Sequence, residues 1–181
     1  MAMKTTITHS THHFFKNLVL ISMIFMASCN EGKSDSSAEL TSGKVYKNFK
    51  SYSKVSIALA TGKVIQAYLA QSDQQQVQGL SGVKPTQIED HEGMLFVYKR
   101  MGPRSFWMPN TYTDLEIIFL DDKYRVIHIE RDVPAHPGMK EPPSIARTPT
   151  VYSQYVLELR SSSPLAKEIK VGDLLKPLTT F

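Results

Sequence analysis

Trp107, Asn110, Thr111, Asp114 and Glu116 lie within one short stretch of this 181-residue chain, and together they could hold a polar ligand. A tryptophan face stacks on a sugar ring or another flat apolar surface. An amide, a hydroxyl and carboxylates then satisfy hydroxyl or amide groups, and such a combination of apolar wall and few oriented polar groups is typical of ligand sites. The same side chains have a plainer reading, in which Trp107 plugs the core and Asn110 and Thr111 close a turn through side-chain to backbone hydrogen bonds. Asp114 and Glu116 could also act as the acid and base of a glycoside hydrolase. That chemistry needs a set carboxylate separation and one raised pKa.

Other chemistry is poorly served. Ser81 sits in Gly79-Leu80-Ser81-Gly82, which lacks the G-x-S-x-G spacing of a nucleophile elbow and reads as a helix terminus. His91, His128 and His136 have no short ligand spacing and no thiol partner, so no metal is expected. Asp121-Asp122-Lys123 lacks the regularly spaced oxygens of a calcium loop and reads as a hairpin turn. No phosphate cradle or dinucleotide fingerprint is present, and no cofactor is expected. An enzyme is therefore the less favoured class.

Cys29 carries a different kind of chemistry. Lys4, His12, His13 and Lys16 lead into an apolar run from Leu18 to Met26, followed by the small residues Ala27 and Ser28 and the sole cysteine. The run is shorter than the roughly 20 apolar residues of a spanning helix, so it reads as a cleaved signal. Met26-Ala27-Ser28-Cys29 resembles a bacterial lipobox, with methionine where that motif usually has leucine. The resemblance implies acylation of Cys29, with palmitate among the chains, and tethering to a membrane surface on the periplasmic side of the cell envelope. Asn30 is not the aspartate of inner-membrane retention, which favours the outer membrane. With Cys29 acylated, no thiol remains for a disulfide or a nucleophile. Loss of Lys4 and Lys16 with the signal lowers the net charge from +4 to +2, leaving 19 basic residues against 17 acidic ones. Those charges are scattered, so no nucleic-acid partner is expected. Partners are instead the membrane and a cell-envelope glycan or protein.

The segments that must position these residues divide into a signal peptide (1–28), a lipidated flexible tether (29–44) rich in small polar residues, and one β-rich domain (45–181). Period-two alternation over Lys54–Leu59 and Val64–Leu69, split by Thr61-Gly62, predicts a hairpin. Ser72 and Asp73 cap a short helix through Gln74–Leu80. Strands are predicted over Gly93–Tyr98, Ser105–Met108, Leu115–Leu120, Arg125–Glu130 and Gln154–Leu159. A two-residue turn at Asp122-Lys123 would set Leu120 opposite Arg125 and Asp114 opposite Arg131 as an ion pair. Ser163-Pro164 opens a second helix, and Lys170-Val171-Gly172-Asp173 turns into a last strand. The prolines of Val133–Thr150 predict a long irregular loop. The fold class expected is mainly β, a compact barrel or sandwich with two short helices.

Taken in order, Gly79-Leu80, Glu92-Gly93-Met94-Leu95-Phe96-Val97, Phe106-Trp107-Met108-Pro109-Asn110-Thr111, Leu115 to Asp121, Tyr155-Val156-Leu157-Glu158-Leu159 and Ile169 to Asp173 resemble domain-of-unknown-function family 192. The resemblance runs from about Val55 to Lys176 and implies a compact β-rich barrel or sandwich in an exported bacterial protein, with no established activity. Two departures stand out. Gly79-Leu80-Ser81-Gly82 replaces the family's Gly-Leu-Met followed by arginine, and Asp114-Leu115-Glu116 replaces its Pro-Leu-Asp. No role tied to that arginine carries over. The function expected is that of a lipid-anchored ligand-binding or interaction module, with a glycan hydrolase using Asp114 and Glu116, or a protein-assembly accessory, as alternatives.

Overall fold

A computed structural model describes residues 48–181; the expected signal peptide (1–28), the expected tether (29–44) with Cys29, and residues 45–47 lie outside the described residues. The described residues are mostly β, with seven strands in one curled sheet that forms a half-barrel and two short helices. In chain order these are β1 (Lys54–Ala58), β2 (Val64–Ala70), α1 (Asp73–Gln78), β3 (Glu92–Arg104), β4 (Leu115–Leu120), β5 (Val126–Val133), β6 (Val151–Arg160), α2 (Pro164–Glu168) and β7 (Lys176–Pro177). Across the sheet the order is β5-β4-β6-β3-β2-β1-β7. The sheet's two ends approach each other because the chain just before β7 pairs with the start of β5: Val126 N donates to Asp173 O (2.9 Å) and Leu175 N to Tyr124 O (3.0 Å). That pairing covers polar backbone that an open edge would expose.

Every neighbouring pair is antiparallel except β2 and β3, which run parallel with Tyr68 beside Met94. A parallel pair needs a long crossover, and here residues 71–91 supply it. This crossover lays α1 and the turn after it over one face of the sheet. Ser72 opens α1 with a capping box, its hydroxyl accepting from Gln75 N while the Gln75 side chain accepts from Ser72 N. The helix stops at Gln78, short of the expected Leu80, because Gly79 takes φ 51°.

Both faces of the sheet are apolar. Val55, Ile57, Leu95, Ile118, Leu157 and Leu159 pack on one side, and Tyr68, Met94, Phe96, Ile117, Phe119 and Val156 pack on the other beneath the crossover and loops. A strand covered on both faces must be apolar at nearly every position. β4, Leu-Glu-Ile-Ile-Phe-Leu, is buried at all six positions, and Glu116 is its one polar member.

Three local expectations need correction. The β4–β5 hairpin turns through three residues rather than two, with Tyr124 in the left-handed region at φ 62° and Asp121 Oδ1 accepting from Lys123 N and Arg125 N at 2.8 Å each. A left-handed residue at that place adds a bulge, so Leu120 faces Val126, Phe119 faces His128 and Leu115 faces Val133. Asp114 therefore does not pair with Arg131: its Oδ1 accepts from Ala135 N at 2.7 Å, and Arg131 reaches Glu116 instead. The predicted strand over Ser105–Met108 is absent as a strand, and β3 itself runs on to Arg104 across a bulge between Val97 and Gly102. Residues 106–111 are instead stitched to the 133–150 loop: Met108 N donates to Ala146 O (3.1 Å), Thr148 N to Phe106 O (2.8 Å) and Thr111 N to His136 O (3.0 Å).

Candidate functional site

Between the crossover and the stitched 105–111 segment lies a cleft of about 260 Å³, close to the lower end of ligand-site volumes, about 300 Å³. Gln76 to Ser81 form one wall, Ser105 to Pro109 the other, and Phe96, Tyr98 and Glu158 lie between them. The site is thus assembled by topology. The parallel pairing forces the crossover, the crossover supplies one wall, and the ladder to the 133–150 loop fixes the other.

The walls are largely aromatic. Phe96 and Phe106 meet edge to face, with centroids 4.8 Å apart, and Phe106 packs in the same manner on Phe119 at 6.0 Å. Trp107 stands at the mouth with 49% of its surface exposed, so it does not plug the core. The Arg147 guanidinium lies 4.8 Å from its ring centroid. Deeper in, the Arg104 guanidinium stacks on Tyr98 at 3.6 Å, and burial, partly offset by that guanidinium, pushes the Tyr98 hydroxyl up to about 12.

Glu158 is the chemical centre. It sits on β6 opposite Met94 and Ile117, among apolar side chains, with 5% of its surface exposed. The Leu80 amide donates to its carboxyl, but Oε2 has no hydrogen-bond partner. Burial pushes the Glu158 carboxyl up from 4.5 to about 8, against the smaller opposing pull of that amide. Buried polar groups are nearly always paired, so a carboxyl oxygen without a partner at a cleft wall is an exception. Gly79 keeps the approach open, since a Cβ there would stand 2.9 Å from Phe96 Cζ and 3.4 Å from Glu158 Oε2.

The sequence-derived candidates separate. Trp107 and Thr111 line the cleft; Asn110, Asp114 and Glu116 do not. Asn110 and Thr111 form a turn: Asn110 has φ 53°, its Oδ1 accepts from Tyr112 (2.9 Å), and Thr111 Oγ1 donates to Pro109 O (3.3 Å). Glu116 is fully buried on the opposite face of β4, where Oε1 accepts from Lys167 (2.7 Å) and Asp132 N (3.2 Å) and Oε2 from Arg131 (2.8 Å). Both oxygens are thus committed to fastening α2 and β5 to the sheet, and the geometry gives Asp114 and Glu116 no shared acid/base site. Ser81 donates to Pro109 O (2.7 Å), tying the two walls together at the cleft's edge. Among the described residues no three His, Cys, Asp or Glu side chains gather as metal ligands. His128 pairs with Glu130 (2.6 Å), and His136 donates to Lys140 O (3.2 Å).

Glu158 belongs to no motif that points to chemistry. Its signal was in the sequence: one acid inside Tyr155-Val156-Leu157-Glu158-Leu159, a strand otherwise apolar on both faces.

The structure thus defines a class by its architecture: a curled β-sheet with an aromatic cleft built over a single buried carboxyl. The chain belongs to domain-of-unknown-function family 192 (DUF192, uncharacterised ACR), whose model matches residues 56–177. Two solved structures are similar. One, described as a candidate transcription regulator from Sinorhizobium meliloti 1021, is 28% identical with a TM-score of 0.55, over 70% of this chain and 95% of that one. The other, a protein of unknown function from Novosphingobium aromaticivorans DSM 12444, is 28% identical with a TM-score of 0.54, over 68% of this chain and 83% of that one. Among curated proteins, none matches.

Proposed function

We propose that this protein is a ligand-binding module of the bacterial cell envelope, tethered through acylated Cys29, that receives a small ligand or a protruding group in the cleft over Glu158. The observation that carries the reading is Glu158 Oε2, buried at the cleft wall and without a partner. A carboxyl kept only for packing would be replaced at no loss by an apolar residue, whereas an unsatisfied one is a standing cost of about 1–3 kcal/mol that a ligand donor relieves. The exposed Trp107 and Val77 add an apolar rim at the mouth. A glycan hydrolase gains no support, because Glu158 is the only carboxylate lining the cleft and that chemistry takes two.

Trp107 is the sole tryptophan, so its emission reports this cleft alone. Titrating the chain with solubilised cell-wall fragments should shift that emission saturably, and Gly79→Ala, which crowds Glu158, should abolish the shift. An emission unchanged by every envelope fraction would remove the binding reading.

A further inference from the structure

The chemistry of the cleft narrows what it takes. Of the described residues that line it, only Tyr98 and Glu158 titrate, and none is lysine, arginine or histidine. A cleft with a carboxyl and no basic lining residue disfavours anions once that carboxyl is ionised. The two cations nearby, Arg104 and Arg147, are already stacked on Tyr98 and Trp107 and do not line the cleft. The crossover wall contributes Gln76, Val77, Gln78 and Ser81, and β4 contributes Leu115, so no further charged group faces Glu158. What remains is a ring-lined slot closed by an acceptor oxygen. Aromatic faces attract cations electrostatically, and an orphaned carboxylate oxygen asks for an N–H donor.

We propose that the cleft binds a primary ammonium group on a short apolar stem, with the ammonium donating to Glu158 Oε2 and the stem lying between Phe96, Phe106 and Trp107. This rests on the binding-module reading and specifies its ligand. The ammonium could belong to a free amine or to a lysine-like side chain of a peptide, and both present the same chemistry. Binding is coupled to ionisation, because the ammonium pairs with the carboxylate and not with the neutral acid. Since the empty site holds its proton up to about pH 8, affinity rises with pH until Glu158 is ionised.

The test is titration of the full chain with n-butylammonium, n-butanol and butyrate, followed by Trp107 emission from pH 6 to 9. The amine stays charged throughout, its pKa being near the lysine value of about 10.4. Expected are binding of n-butylammonium at least tenfold tighter than n-butanol, no binding of butyrate, and affinity rising up to about tenfold per pH unit below pH 8. Glu158→Gln, which keeps the shape and removes the charge, should weaken the amine at least tenfold and flatten the pH profile. An acetyl-Gly-Lys-Gly amide arm assigns the source: tenfold tighter binding than n-butylammonium places the ammonium on a peptide, and comparable binding places it on a free amine. Equal affinity for n-butanol and n-butylammonium overturns the ammonium inference while leaving a binding module. Silence from these probes and from cell-wall fragments alike overturns both.

Discussion

Glu158→Gln should stabilise the protein, and increasingly so as the pH rises. In the folded chain the carboxyl holds its proton to about pH 8, whereas the exposed side chain in the unfolded chain releases it near 4.5. Between those values the unfolded state binds fewer protons, so stability falls with rising pH at up to about 1.36 kcal/mol per pH unit. Below pH 4.5 both states are protonated, and the penalty is absent; above about pH 8 both are ionised, and it no longer grows. The interval corresponds to about 5 kcal/mol, which water entering the cleft lowers to about 3–5 kcal/mol. Set against a typical total of about 5–15 kcal/mol, this is a large fraction. Glutamine keeps the volume and cannot ionise. Urea unfolding of both proteins, followed by Trp107 emission from pH 5 to 9, isolates the effect, because all other titrating groups are common to the pair. The difference should be near zero at pH 5 and favour the variant by about 3–5 kcal/mol at pH 8.5, a midpoint shift of about 1–5 M urea. Parallel stability profiles, or a variant weaker at pH 8.5, would refute the assignment of Glu158 as a buried, uncompensated acid.

Glu92 should behave in the opposite sense: burial would raise its pKa, but Lys50 (2.6 Å), Lys54 (2.9 Å), the Glu89 amide and Tyr68 (2.8 Å) together hold it at about 2. Its contribution, about 3 kcal/mol, is therefore complete above pH 4.5 and lost as the pH falls towards 2, so Glu92→Gln should show a much shallower acid transition in circular dichroism. At Glu116, truncating the buried acid frees cations that water can hydrate, whereas truncating Arg131 leaves the acid buried with Lys167 as its one cation and Oε2 without its donor. Glu116→Gln should thus cost about 1–3 kcal/mol and Arg131→Met more, up to about 3–5 kcal/mol, with Trp107 emission unchanged in both; the reverse order would contradict the burial geometry. Cys29→Ser should abolish incorporation of a palmitate analogue and leave the signal unprocessed, and unchanged labelling would exclude the lipoprotein reading.

The strands were legible where packing is local and hidden where it is not. Alternation in Val55 and Ile57, the Ser72 cap and the Ser163-Pro164 start each encode their structure within a few residues, and each appears where the sequence places it. The β4–β5 register failed because one residue, Tyr124, accepts a left-handed backbone that its side chain does not advertise, and a single added residue moves the whole pairing. Ser105–Met108 reads as a strand and pairs like one, but only through single bridges to a proline-rich loop that no periodicity announces. The cleft failed for a deeper reason. Its walls come from α1, β3, the 105–109 segment and β6, brought together by a parallel crossover, so neither Asp114 nor Glu116, though within ten residues of Trp107 in sequence, shares the space beside it. Distance along the chain was the wrong guide. The better one was incongruity: Glu116 and Glu158 are each the one acid within an apolar run, Leu115–Leu120 in β4 and Tyr155–Leu159 in β6. Burial alone does not separate them, since both are inaccessible. Satisfaction does, because Glu116 spends every oxygen on Arg131, Lys167 and a backbone amide, while Glu158 keeps one oxygen free at the wall of an aromatic cleft. A fold that retains an unpaired buried acid bears its cost wherever the unfolded chain would ionise, and in the reading proposed above a ligand donor offsets that cost.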